Sequence, residues 1–168
     1  IMHSFIIAAV ADNGVIGVDG DLVWDLPADQ VFFEARIRDA QLLTGRISFE
    51  SSQGQEIFRE EERVILLTRQ QDYQAGKVRI AHDLDSAWEM AMAAPFEELA
   101  VLGGANIYQM TLSKVDTLYI TEVHAEFEGD TFFPEISKED WQEVDRKDFP
   151  ADEKNPYPYS FVSYRQKT

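Results

Sequence analysis

The chain has 168 residues, 15 Lys and Arg against 31 Asp and Glu, a formal net charge of −16 at pH 7, and no cysteine. That balance, with a sequence pI near 4.4, argues against broad binding of nucleic acid or anionic membrane, both of which need a basic footprint. Without cysteine, disulfides, thiolate catalysis and zinc–thiolate sites are excluded. Hydrophobic residues make up 45%, which suffices for a globular core, and the length suits one domain over residues 1–168. No run approaches the roughly 20 apolar residues of a membrane span. The start Ile1-Met2-His3-Ser4-Phe5 lacks the charged stretch and long apolar core of a signal peptide. A soluble cytoplasmic protein is the expectation.

In chain order, residues 4–10 form a continuous apolar run, the pattern of a strand buried on both faces. A turn-rich loop over 12–21 follows, with Val15 and Ile16 as internal anchors. Pro27 fits the first turn of a helix carrying Phe32, Phe33 and Arg36. Strands are predicted at 42–44, 63–68 and 77–80, with a helical stretch after Gly45-Arg46. Asp83 is a candidate N-cap for a helix through Leu84, Ala87, Trp88 and Ala91. A strand over 99–102 stops at Gly103-Gly104, a helix runs over 107–112, and strand character resumes over 118–123. The last third is aromatic and strand-rich. Strands alternating with helices predict an α/β fold: a central mixed, mostly parallel sheet flanked by helices, with an antiparallel C-terminal edge.

Two strand-to-helix junctions are marked by glycine, Thr44-Gly45-Arg46 and Gly103-Gly104-Ala105. Such a junction offers free N–H donors, and glycine lets a phosphate approach the backbone. Neither has the spacing of a dinucleotide fingerprint or a P-loop, and the plainer reading of each is a tight turn. Arg69 after the third strand adds a side chain that grips phosphate. Asp29 and Phe33 are spaced i, i+4 and share a helix face near Trp24. A solvated first-turn carboxylate explains that spacing; so does a carboxylate walled by rings, its pKa raised, pairing with a flat nitrogen heterocycle. His3, His82 and His124 lack metal-ligand spacing, and the loop over 12–21 lacks the calcium-binding pattern. Ser51 and Ser52 lack a nucleophile elbow, and Glu60-Glu61-Glu62 reads as a solvated face.

These residues resemble the dihydrofolate reductase family, collinearly over nearly the whole chain. The resemblance is carried by Ile7-Ala8-Ala9, Val15-Ile16-Gly17, Leu22-Val23-Trp24-Asp25-Leu26-Pro27-Ala28-Asp29 and Gly45-Arg46-Ile47-Ser48-Phe49-Glu50-Ser51. Further on it is carried by Val101-Leu102-Gly103-Gly104-Ala105-Asn106-Ile107-Tyr108, Leu118-Tyr119-Ile120-Thr121 and Glu128-Gly129-Asp130-Thr131-Phe132-Phe133-Pro134. It implies reduction of 7,8-dihydrofolate to tetrahydrofolate by NADPH, with hydride passing to C6. Asp29 is implied as the acid facing the pterin and favouring protonation at N5, with Thr121, Trp24 and Leu22 as its catalytic neighbours. Ile7, Ala8 and Phe33 are implied to line the substrate pocket. Ala9, Ile16, Gly17, Gly45, Arg46, Ile47 and Ser48 are implied cofactor contacts, as are Gly103, Gly104, Ala105, Asn106, Ile107 and Tyr108. Thr68 and Arg69 are implied to meet the 2′-phosphate, and the Gly103–Gly104 bond to be cis. Residues 17–24 are implied to form a lid over the nicotinamide, gated by the loop around Gly129-Asp130.

The sequence also departs from the family. Glu62 falls where an arginine usually clamps the folate tail carboxylate, with Arg63 one place away and Arg59 nearby. Asn106 replaces a phosphate-binding arginine of some members, and Thr44 a usual methionine. The missing clamp keeps a second reading open, a related reductase of another pterin or of a riboflavin-pathway pyrimidine; a nucleotide-binding relic is a third. The expected partners are dihydrofolate and antifolate inhibitors, with no nucleic acid, membrane or metal, and the chain is expected to be monomeric. Its acidity adds the expectation of a protein suited to high salt.

Overall fold

The computed structural model describes residues 2–17 and 21–168. The first apolar run becomes β1 (His3–Ala11). Its side chains alternate between two cores, Phe5 and Ile7 on one face and Ile6 and Ala8 on the other. A strand with partners on both edges and helices over both faces has no side to give to water, hence the unbroken apolar pattern. Burying Phe5 and Ile6 completely is worth about 1.5–3 kcal/mol each.

β2 (Val15–Gly17) follows, then α1 (Pro27–Ile37), β3 (Gln41–Gly45), α2 (Arg46–Glu50) and α3 (Ser52–Ile57). β4 (Val64–Leu67), β5 (Arg79–Ala81), α4 (Leu84–Ala93), β6 (Glu98–Val101) and α5 (Ala105–Thr111) come next. The chain ends with β7 (Thr117–Val123), β8 (Thr131–Phe132), β9 (Trp141–Phe149) and β10 (Tyr159–Gln166). Eight strands form one sheet in the order β5-β4-β3-β6-β1-β7-β10-β9. Those from β5 to β7 run parallel, and β10 and β9 are antiparallel, as the alternation predicts. β9 is exposed beyond Trp141 and carries Glu143, Asp145, Arg146, Lys147 and Asp148, charges that discourage edge-to-edge pairing.

Several boundaries differ from expectation. The strand expected from Lys77 begins at Arg79, because Val78 N–H closes a turn on the Ala75 carbonyl around Gly76, whose φ is +52°. The stretch after Gly45 is two short helices broken at Ser51, whose hydroxyl accepts from Gly54 N–H at 3.0 Å and caps the second. Helix α5 starts two residues earlier than expected, at Ala105. The Asp83 cap is present, accepting from Ser86 N–H at 2.7 Å.

Three contacts set α1 in place. At its start, Leu26 offers no side-chain cap. Asn155 from the β9–β10 connection accepts from Ala28 N–H at 2.9 Å instead. In the last turn, Arg36 makes two 2.9 Å bonds to Glu98 and lies over the Phe5 and Tyr119 rings at 4.2 and 4.6 Å. The guanidinium holds the Glu98 carboxyl down to about 2. Beyond the helix, Arg63 donates to the carbonyls of Ala40, at 3.0 Å, and Ile37.

Candidate active site

Strands β3 and β6 lie side by side, yet the chain leaves them in opposite directions, towards β4 and towards β7. In an open α/β sheet, a crevice forms at the carboxyl ends of such a pair, and ligands bind there. Both glycine junctions sit at this point. The Gly103 carbonyl accepts from Gly45 N–H at 2.8 Å and from the Thr44 hydroxyl at 2.9 Å. The residue that departs from the family at position 44 therefore ties the two junctions together. Gly103 has φ +98° and its bond to Gly104 is cis. A Cβ on Gly45 would stand 3.1 Å from Ile107, and one on Gly104 would stand 3.2 Å from the Ser48 hydroxyl.

The fit of this crevice to a phosphorylated cofactor rests on donors. Neither Gly45 nor Gly104 provides a side-chain cap for the helix it begins, so first-turn N–H groups remain available to a ligand. At five and seven residues, α2 and α5 carry little macrodipole, which leaves the N–H groups and side chains as the grip. Arg46 and Ser48 lie on α2, and Ile47 beside them is 60% exposed. Thr68 and exposed Arg69 follow β4, and Asn106 is exposed on α5. Ile107 and Tyr108 turn inward, and the Tyr108 hydroxyl donates to the Ile7 carbonyl at 3.2 Å.

Asp29 stands in the first turn of α1, and Thr121 of β7 donates to its carboxylate at 2.6 Å. Thr121 pairs in register with Ala9 of β1. Burial raises the Asp29 pKa, and the Thr121 bond opposes that rise without cancelling it. Asp29 is half-buried, and the direction of its shift favours the less solvated of the two explanations. Burial, and then the charge of Asp29, push the Tyr108 phenol up as well. Ile7 and Phe33 belong to the apolar cluster on the α1 face of the sheet, while Ala8 lies in the cluster behind it. Trp24 is 7% exposed, and its indole N–H has no partner among the described residues. An unsatisfied buried donor costs about 1–3 kcal/mol, a cost relieved when a water or ligand oxygen reaches it.

Of the expected lid, Val18, Asp19 and Gly20 lie outside the described residues. Its flanks are held by contacts that local sequence does not announce. Gln53 of α3 accepts from Leu22 N–H at 3.0 Å, and its own N–H donates to Asp21 at 3.2 Å. Val15 and Gly17 pair with Phe132 and Thr131, and Asp130 N–H donates to the Gly17 carbonyl at 3.3 Å. Ile16 packs on the main core. Trp24 meets Phe127 at 5.0 Å between ring centres. Gln53 and Asn155 both escape sequence reasoning, because they act on residues 31 and 127 positions away.

In the region implied to hold the substrate tail, Glu62 turns towards Lys77, 3.7 Å away. Arg59 donates to the Glu56 carbonyl and is exposed. Arg63 is fixed below the end of α1, and among the described residues its one ionic partner is an exposed Glu60 carboxylate at 3.6 Å. No group of three or more His, Asp or Glu among the described residues is placed to hold a metal ion. No helix there is long and apolar enough to cross a membrane.

A carboxyl group hydrogen-bonded to Thr121, together with two glycine junctions at the switch point of the sheet, fits the class of α/β reductases that use a nucleotide cofactor. Residues 4–166 match the family model described as dihydrofolate reductase. The chain belongs to the dihydrofolate reductase family. It is 37% identical over 158 residues to dihydrofolate reductase type 3 of Salmonella typhimurium, covering 94% of each chain. It is 35% identical over 161 residues to the dihydrofolate reductase of Staphylococcus haemolyticus, covering 96% of this chain and 94% of that one. A solved structure of dihydrofolate reductase from Enterococcus faecalis, complexed with NADP(H) and RAB-propyl, matches with a TM-score of 0.83 and 33% identity over 99% of this chain and 97% of that one.

Proposed function

We propose that this chain reduces 7,8-dihydrofolate to 5,6,7,8-tetrahydrofolate with NADPH, and that Asp29 is the group that holds the pterin and favours protonation at N5. Family membership over residues 4–166 supports the reaction. The observation that carries the assignment of Asp29 is its 2.6 Å bond from Thr121 in an environment that raises its pKa. A carboxyl with a raised pKa keeps a proton to higher pH and meets a ring nitrogen and amino group as a hydrogen-bonding pair. NADPH, when bound, supplies the hydride. Phe33 and Ile7 exclude water from the ring, and the Trp24 N–H is free to donate one hydrogen bond to water or substrate among the groups described. Arg46, Ser48, Thr68 and Arg69 would hold phosphates along the crevice, and of Arg59 and Arg63 the latter, fixed by carbonyls at the end of α1, would be the better placed to meet a tail carboxylate.

NADPH oxidation with dihydrofolate, compared between wild type and Asp29→Asn, tests the reading. Asn accepts from Thr121 but holds no exchangeable carboxyl proton, so kcat/KM near neutral pH should fall about 10²–10⁴-fold. A loss below about tenfold removes Asp29 from the role. Equal kcat/KM for dihydrofolate and a tail-less dihydropterin would instead show that the tail goes unread and favour the related-reductase reading.

A further inference from the structure

Glu50 closes α2 on the helical turn after Arg46, and its two carboxylate oxygens have different partners. Arg46 Nη1 donates to Oε1 at 2.9 Å, and the Tyr73 hydroxyl donates to Oε2 at 2.7 Å. Tyr73 lies one short step beyond Arg69 in the loop after β4, and its ring packs against the core cluster that includes Phe58, Val64 and Val78. The Arg46 and Glu50 side chains are 36% and 45% exposed. An exposed ion pair of this kind ordinarily samples many geometries. Here a third group, anchored in the core, holds the carboxylate from its far side. Of the five donors a guanidinium carries, Arg46 gives one to Glu50 and keeps others for an anion. Burial and the Glu50 bond push the Tyr73 phenol up to about 12, so it remains a donor across the working pH range.

We infer that Tyr73, acting through Glu50, is a positioning residue that fixes the Arg46 guanidinium for the phosphate that distinguishes NADPH from NADH. The inference rests on the reading of Arg46 as a phosphate grip. Tyr73 shares one loop with Arg69, so the chain Arg46–Glu50–Tyr73 ties α2 to the loop that carries the residue implied to meet the 2′-phosphate. Glu50 also sets a negative charge beside an anion site, and the alternative role for it is repulsion of the cofactor. The two roles predict opposite signs.

The test is steady-state KM for NADPH and for NADH at saturating dihydrofolate, with thermal midpoints as a control, for Tyr73→Phe, Glu50→Ala, Glu50→Gln and Arg46→Gln. Tyr73→Phe and Glu50→Ala should each raise KM for NADPH about threefold, leaving kcat and KM for NADH unchanged. Glu50→Gln keeps an acceptor for Arg46 and should raise it less. Tyr73→Phe added to Arg46→Gln should cost nothing more, because the shared element is already gone. A lower KM for NADPH in either Glu50 variant overturns the inference in favour of repulsion. An equal rise for both cofactors overturns it in favour of a local packing role. If Arg46→Gln raises the NADPH value while Tyr73→Phe is silent, the inference alone falls. If Arg46→Gln leaves the ratio of the two KM values unchanged, the phosphate grip and the inference fall together.

Discussion

Asp29 and Thr121 show how much chemistry one hydrogen bond can tune. Burial makes the ionised carboxylate costly, and the Thr121 hydroxyl recovers part of that cost by donating to it. Thr121→Val removes the donor, so the Asp29 pKa should rise further. The protonated form then persists to higher pH, and the alkaline limb of kcat/KM should move upward; a limb that stays in place or moves down counts against Asp29 as the titrating group. The sign for stability is the reverse of that for activity. A carboxyl whose folded pKa lies above its unfolded value stabilises the fold below the unfolded pKa, and that contribution is lost as pH rises through the folded one. At neutral pH Asp29 is therefore a cost to the fold, and Asp29→Asn should raise the thermal midpoint while lowering activity.

Helix α1 carries this carboxylate but does not cap its own start. Asn155 does so from across the chain, and Asp152 holds Asn155 in turn by accepting from its backbone N–H at 2.8 Å and its amide at 3.1 Å. Asn155→Ala leaves Ala28 N–H without that acceptor and should cost about 1–2 kcal/mol, lowering the thermal midpoint by about 2–8 °C in a chain of this size. A midpoint that does not move would show that water replaces the amide. The same helix marks what a sequence makes legible. Pro27 at its first turn and the Asp29–Phe33 spacing follow from local rules, as do the Asp83 cap and the apolar runs of β1 and β4. Asn155, Gln53 and the pairing of β2 with β8 depend on partners far along the chain. Periodicity and capping rules act within a few residues, so such partners leave no local trace. Thr44 lies between the two cases: resemblance marks it as a departure, and only the adjacency of β3 and β6 explains it.

At the scale of the whole molecule, a charge of −16 must coexist with two anionic ligands. Many of the cations are already engaged: Arg36 with Glu98, Arg146 with Glu122 and Glu143, and Lys77 with Glu62. Arg69 is exposed beside the crevice, and Arg46 keeps donors beyond the one bound to Glu50. Local positive potential at the crevice can therefore oppose the net charge. Elsewhere the excess acids repel one another over distances that salt screens. The Debye length falls from about 10 Å at 0.1 M to about 3 Å at 1 M, which removes most of that repulsion but leaves short, partly buried pairs such as Arg36–Glu98 largely intact. Stability should thus rise with salt, and the thermal midpoint should climb by about 4 °C or more between about 0.1 and 1 M KCl, the equivalent of roughly 1–2 kcal/mol for a chain of this length. The same screening weakens attraction between the crevice and NADPH, so KM for NADPH should increase over that range. A midpoint that stays level or falls would mean that the paired cations, and not the unpaired acids, dominate the electrostatics of the fold.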